Sequence, residues 1–90
     1  MKPRITISTT PSGQLEIWVN EPGRNLLVKE LQGLSKKSDH FHLGTFEGAG
    51  VEMEDKAYNP TDTIVHAAKV LFRPDEWDQR HFPHVLSESA

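Results

Sequence analysis

Over residues 4–9 the side chains alternate, Ile5 and Ile7 on one side and Arg4, Thr6 and Ser8 on the other. That is the two-residue period of a half-buried strand. Pro11-Ser12-Gly13 interrupts it with turn chemistry, Gly13 being free to take a positive φ. Alternation resumes over Leu15–Val19, with Leu15, Ile17 and Val19 facing one way and Glu16 and Trp18 the other. Two such runs around a short turn predict a β-hairpin. At Asn20 the period lengthens to about 3.6 residues. Leu27, Leu31 and Leu34 recur at helical spacing and Leu26 widens the stripe, while Arg24, Lys29, Glu30 and Gln32 fall mainly on the wet side. Asn20 can cap this helix. Glu21 and Pro22 suit its first turn, where a carboxylate meets the positive end of the helix dipole and proline has no hydrogen bond to lose. The helix is predicted over residues 21–34, weakened at Gly33 and ended by the basic stretch 35–38.

Asp39-His40-Phe41-His42-Leu43 returns to alternation, Phe41 and Leu43 opposite the two histidines, and predicts a third strand. Residues 44–50 hold three glycines, the composition of a tight or mobile loop, and residues 51–53 predict a short strand after it. Tyr58-Asn59-Pro60-Thr61 breaks the chain. Residues 62–72 fit two patterns: Thr63, Ile64 and Val65 favour a strand, and Ile64, Ala67, Ala68 and Leu71 also make a helical stripe. A strand buried on both faces accounts for the apolar character of both alternation sets, and one is expected there. Arg73-Pro74 stops it; Pro74-Asp75-Glu76-Trp77 opens a short helix, and the rest of 74–90 is expected to be a loosely packed tail. The expected fold is α+β, a single domain over 1–90: a small antiparallel or mixed sheet of about four to five strands, order β-β-α-β-(β)-β, with the amphipathic helix packed on one face.

With 90 residues and 36 % apolar side chains, the chain has room for one thin core. Its longest apolar runs are three residues, Ile17-Trp18-Val19, Leu26-Leu27-Val28 and Val70-Leu71-Phe72. A membrane span needs about 20 apolar residues and a secretory signal about 7 to 15, so a cytoplasmic protein without a membrane partner is expected. The absence of cysteine excludes disulfides, a thiol nucleophile and a cysteine zinc site. Charge is graded along the chain: residues 1–43 carry a net +2 and residues 44–90 a net -5. Nucleic acid is bound through clustered Lys and Arg, so this layout argues against it and favours a basic protein partner.

Five histidines bring a metal site into question. His40 and His42, two apart on a strand, point the same way, but a catalytic zinc needs a third ligand such as His66 or Glu52. His81 and His84 make a weaker pair, because Pro83 disfavours helical spacing between them. Strand histidines that hydrogen-bond, one of them with Asp39, are the simpler expectation, with neither metal nor cofactor. The serines fall in turns, at element ends or in the tail, with no G-x-S-x-G elbow, and the glycine-rich segment lacks the lysine of a phosphate loop. Glu52 and Glu54 would share a face of a strand, as solvated acids commonly do. No enzyme is expected; a His-rich metal-binding module or small metal-dependent enzyme is the alternative, and an oligomerisation domain using residues 4–9 as an edge strand is a third class. Most distinctive is the acidic segment, where Glu47, Glu52, Glu54 and Asp55 interleave with Phe46, Val51, Met53 and Tyr58, and Lys56 alone offsets them along the sequence.

The run Leu15-Glu16-Ile17-Trp18-Val19-Asn20 into Leu26-Leu27-Val28-Lys29-Glu30-Leu31, followed by Asp39-His40-Phe41-His42-Leu43, resembles immunity protein family thirty-two of bacterial polymorphic toxin systems. The likeness covers about residues 15–72, and the pentad at 39–43 is its most specific piece. The resemblance implies a small cytosolic α+β domain, encoded beside a toxin, that binds and neutralises that cognate toxin without catalysis or a cofactor. An acidic inhibitor suits a toxin with a basic cleft. The toxin-facing surface is therefore expected to include Glu47, Glu52, Glu54 and Asp55, with Phe46 and Tyr58 as apolar anchors.

Overall fold

The structure, a computed structural model, describes residues 1–86. Strand β1 (Ile5–Thr9) pairs antiparallel with β2 (Leu15–Val19), from Ile5 opposite Val19 to Thr9 opposite Leu15. The turn between them closes through Gly13, at φ 93°, whose N–H donates to the Thr10 carbonyl at 2.9 Å. Helix α1 (Glu21–Gln32) follows at once. Then come β3 (His40–Gly44), β4 (Val51–Glu52), β5 (Thr63–Ile64), β6 (Ala67–Leu71), helix α2 (Asp75–His81) and a 3-10 turn over Pro83–Leu86.

Among the described residues, six strands form two three-stranded sheets, β2-β1-β5 and β4-β3-β6. All pairings are antiparallel except β3 with β4. The chain passes between the sheets at two corners. After β4, the Met53 N–H bonds the Gly44 carbonyl of one sheet at 2.7 Å and the next N–H, Glu54, bonds Ile5 of the other at 2.8 Å. At Val65-His66 the reverse switch occurs: Val65 N–H donates to Ile7 at 2.9 Å, and the His66 carbonyl accepts from Thr45 at 3.0 Å. The inner faces meet on Ile5, Ile7, Leu43, Val51 and Met53, all buried, with Leu26, Leu27, Phe41, Val65, Ala68 and Val70 partly buried around them.

The α+β class agrees with the hydrophobic pattern; the sheet count does not. Residues 62–72 are not one strand. The bend at Val65-His66 divides them into β5 and β6, because the segment leaves β1 and joins β3. Nor is β6 buried on both faces: Ala68 and Val70 turn inward and Ala67, Lys69 and Leu71 are exposed. β1 lies between β2 and β5, so residues 4–9 are no edge strand. Helix α1 stops at Gln32, two residues short of expectation, with Gly33 in the right-handed region as its C-cap. The expected tail holds α2 and the 3-10 turn; its last four residues lie outside the described residues. Arg73 ties α2 to the end of β6: its guanidinium lies 4.1 Å from the Trp77 ring centre and its Nε 3.3 Å from Asp78 Oδ1. An ion pair of Lys36 with Glu76 joins α2 to the segment after α1 and holds the Glu76 carboxyl below its ordinary pKa. No helix among the described residues is long and apolar enough to cross a membrane.

The inner surface is incompletely covered. Leu15 and Ile17 of β2 are 56 % and 55 % exposed and Leu31 of α1 is 52 % exposed. Together with Leu27, Phe41 and Val70 they line an open apolar cleft of about 360 Å³. The radius of gyration is 15.6 Å, against about 12 Å for a compact chain of this length. On β2 the expected faces are therefore present with unexpected cover: Glu16 and Trp18, on the outer face, are the half-buried pair.

Candidate functional site

The residues of the acidic segment are placed by the parallel pairing of β3 with β4. Leu43 opposite Val51 puts both side chains in the core; Gly44 opposite Glu52 puts the next pair on the outer face. Gly44 has no side chain because the Phe46 ring occupies the space: a Cβ there would lie 2.3 Å from Phe46 Cε1. Phe46 thus lies back over β3, still 57 % exposed, beside exposed Glu52 and next in sequence to exposed Glu47. Phe46 lies in the bend just after β3, and its ring over Gly44 with Glu47 and Glu52 beside it makes a small apolar-acidic patch.

The other three predicted residues are drawn away from that patch. Glu54 begins the pairing with β1, and Lys2 Nζ lies 3.6 Å from its Oε1. Such an exposed pair contributes no more than about 1 kcal/mol but cancels the charge locally. Tyr58 stacks on Trp18, ring centres 4.3 Å apart and planes within 9°, so the phenol ring is the cover over the outer face of β2 rather than a free anchor. A groove of about 420 Å³ beside it is lined by Lys2, Arg4, Thr6, Glu54, Lys56 and Tyr58. Its charge is mixed. Asp55, adjacent to Glu54, is exposed. Lys2 and Arg4, which complete this surface, are missing from the sequence reading because some 50 positions separate them from Glu54 and only the β1 pairing unites them.

In the 39–43 motif, Leu43 is core and Phe41 half-buried, while His40 and His42 lie on the exposed face, ring centres 5.1 Å apart and edge to face. Asp39 Oδ1 sits 2.8 Å from His40 Nδ1, and that hydrogen bond holds the Asp39 carboxyl below its ordinary pKa. Across the sheet, His42 faces Lys69, whose ammonium opposes a second cation there. His66 bonds Thr45 Oγ1 at 2.9 Å instead of joining the pair. Among the described residues no three His, Asp or Glu side chains cluster as metal ligands would. His81 and His84 each lie against an aromatic ring, Trp77 and Phe82 respectively.

Comparison with protein-family models, with curated proteins and with solved structures finds no match for this chain.

Proposed function

We propose that this chain is a cytoplasmic immunity protein that neutralises a cognate bacterial toxin by occupying its surface. The supporting observation is the Phe46–Glu47–Glu52 patch: a half-exposed aromatic seated on Gly44 with exposed carboxylates beside it, whereas Glu54 is paired with Lys2. An inhibitor of this kind needs a fixed surface and fast association. Exposed acids raise the encounter rate with a basic cleft, and burial of the ring on binding slows dissociation. Glu54, Asp55 and Tyr58, drawn away from the patch toward Lys2 and Arg4, are given only a marginal part in the contact.

The test is binding kinetics with the toxin domain encoded beside this chain's gene. Glu47→Lys with Glu52→Lys should lower the association rate by about tenfold at low salt, and less at high salt. Phe46→Ala should act on dissociation, and Gly44→Ala should act like it, since a methyl group and the ring cannot share the space. Unchanged kinetics in all three variants would remove the patch from the interface; absence of any complex would remove the function.

A further inference from the structure

We propose that the free edge of β2 is a homodimer interface, in which two copies pair β2 antiparallel about a two-fold axis through Ile17. The β1–β2 bonding fixes which groups are available. Asn20 N–H bonds Arg4 and Thr10 N–H bonds Gln14, so the even-numbered residues of this strand turn their N–H and C=O toward β1. By alternation, the N–H and C=O of Leu15, Ile17 and Val19 point away from β1, and among the described residues β2 has no second neighbour in its sheet.

A two-fold axis at Ile17 sets Ile17 against its own copy and Leu15 against Val19 of the second copy. Every outward N–H and C=O then meets a partner, because those residues are the ones that form hydrogen-bonded pairs in this register. The same register sets Glu16 opposite Trp18 of the other copy, in the closer, non-hydrogen-bonded kind of pair. The outward backbone groups of this edge complement themselves under one two-fold operation, so the occupant that fits them is a second copy.

Area agrees. The chain exposes 6759 Å², against roughly 5,300 Å² for a folded monomer of this mass. That excess is more than the roughly 800 Å² that each partner of a stable interface covers. Leu15, Ile17 and Val19 would continue their apolar row into the second copy, extending the sheet to β5-β1-β2-β2-β1-β5. Phe46, Glu47 and Glu52 lie on the other sheet, at its β3–β4 end, so dimer formation and toxin binding are separable.

Sedimentation equilibrium of the chain should give a dimer in the micromolar range. Ile17→Lys, which places two ammonium groups at the axis, should raise the dissociation constant by about a hundredfold. A folding defect in that variant is bypassed by cross-linking, since the chain has no cysteine of its own. Equal amounts of Glu16→Cys and Trp18→Cys chains should form a mixed disulfide on mild oxidation, because opposite residues of that kind lie within disulfide reach. Either chain alone should cross-link far less. A monomer at all concentrations, a dimer indifferent to Ile17→Lys, or equal cross-linking of mixed and single chains would each overturn the proposal.

Discussion

Replacing Asn20 with alanine tests how the hairpin, the first residues and the helix are joined. Asn20 Oδ1 accepts from Gly23 N–H at 2.8 Å, as the N-cap of α1, and from Arg4 N–H at 2.9 Å. Its Nδ2 donates to the Lys2 carbonyl at 3.0 Å. Loss of the cap costs about 1 kcal/mol. The Arg4 and Lys2 groups are exposed and can turn to water, so each lost bond adds about 0.5 kcal/mol. The expected total is about 2 kcal/mol, a fall in Tm of about 8 to 15 °C for a domain of this size. Asn20→Asp keeps the acceptor and adds a charge that the helix dipole favours, losing only the bond to Lys2; it should cost under about 1 kcal/mol. Urea unfolding at one fixed protein concentration gives both values from the midpoints, provided the slope m is unchanged. An alanine variant within about 0.5 kcal/mol of the parent, or an aspartate variant as unstable as alanine, would refute the role given to this side chain.

Gly23 of α1 and Gly33 at its C-cap should respond in opposite directions. A Cβ at Gly23 would lie 2.4 Å from the Arg4 carbonyl oxygen, a backbone atom that cannot move aside cheaply, so Gly23→Ala should destabilise by more than about 1 kcal/mol. Gly33 is in the right-handed region, with nothing closer than 3.5 Å to a Cβ; there alanine should stabilise by about 0.4 to 1 kcal/mol, both effects read from the same urea curves. The Asp39–His40 pair makes a titration prediction. A carboxyl whose pKa is lowered on folding favours the folded state above its ordinary pKa and loses that preference as pH falls through the lowered value. Stability should therefore decline slightly below about pH 4, and NMR titration should show the Asp39 midpoint rising toward the ordinary carboxylate value in His40→Ala. An unmoved midpoint would exclude the hydrogen bond as its cause.

Local periodicity was enough to set out the β1–β2 hairpin, the cap at Asn20, the stripe of α1 and the alternation of β3, because each is decided by neighbours in sequence. The pattern also assigns Leu15, Ile17 and Val19 to one face and Glu16 and Trp18 to the other, but a period says nothing about what covers either face. Tyr58, 40 positions downstream, covers the polar one and leaves the apolar one open. Residues 62–72 form two strands instead of the expected one for the same reason. Their apolar character suits two half-buried strands in different sheets as well as one fully buried strand, and only the bonds from Val65 to Ile7 and from Thr45 to His66 separate the two. Of the predicted toxin-facing residues, the structure keeps Phe46, Glu47 and Glu52 near one another and gives Glu54 to Lys2 and Tyr58 to Trp18.

The amino-acid order by itself determined the elements and their faces, since side-chain periodicity and capping act over a few residues. Tertiary structure alone decided that β2 is an edge, that the chain changes sheets at two corners, and that Glu54 is paired with Lys2. Those outcomes depend on contacts between residues tens of positions apart, where no local pattern specifies the partner.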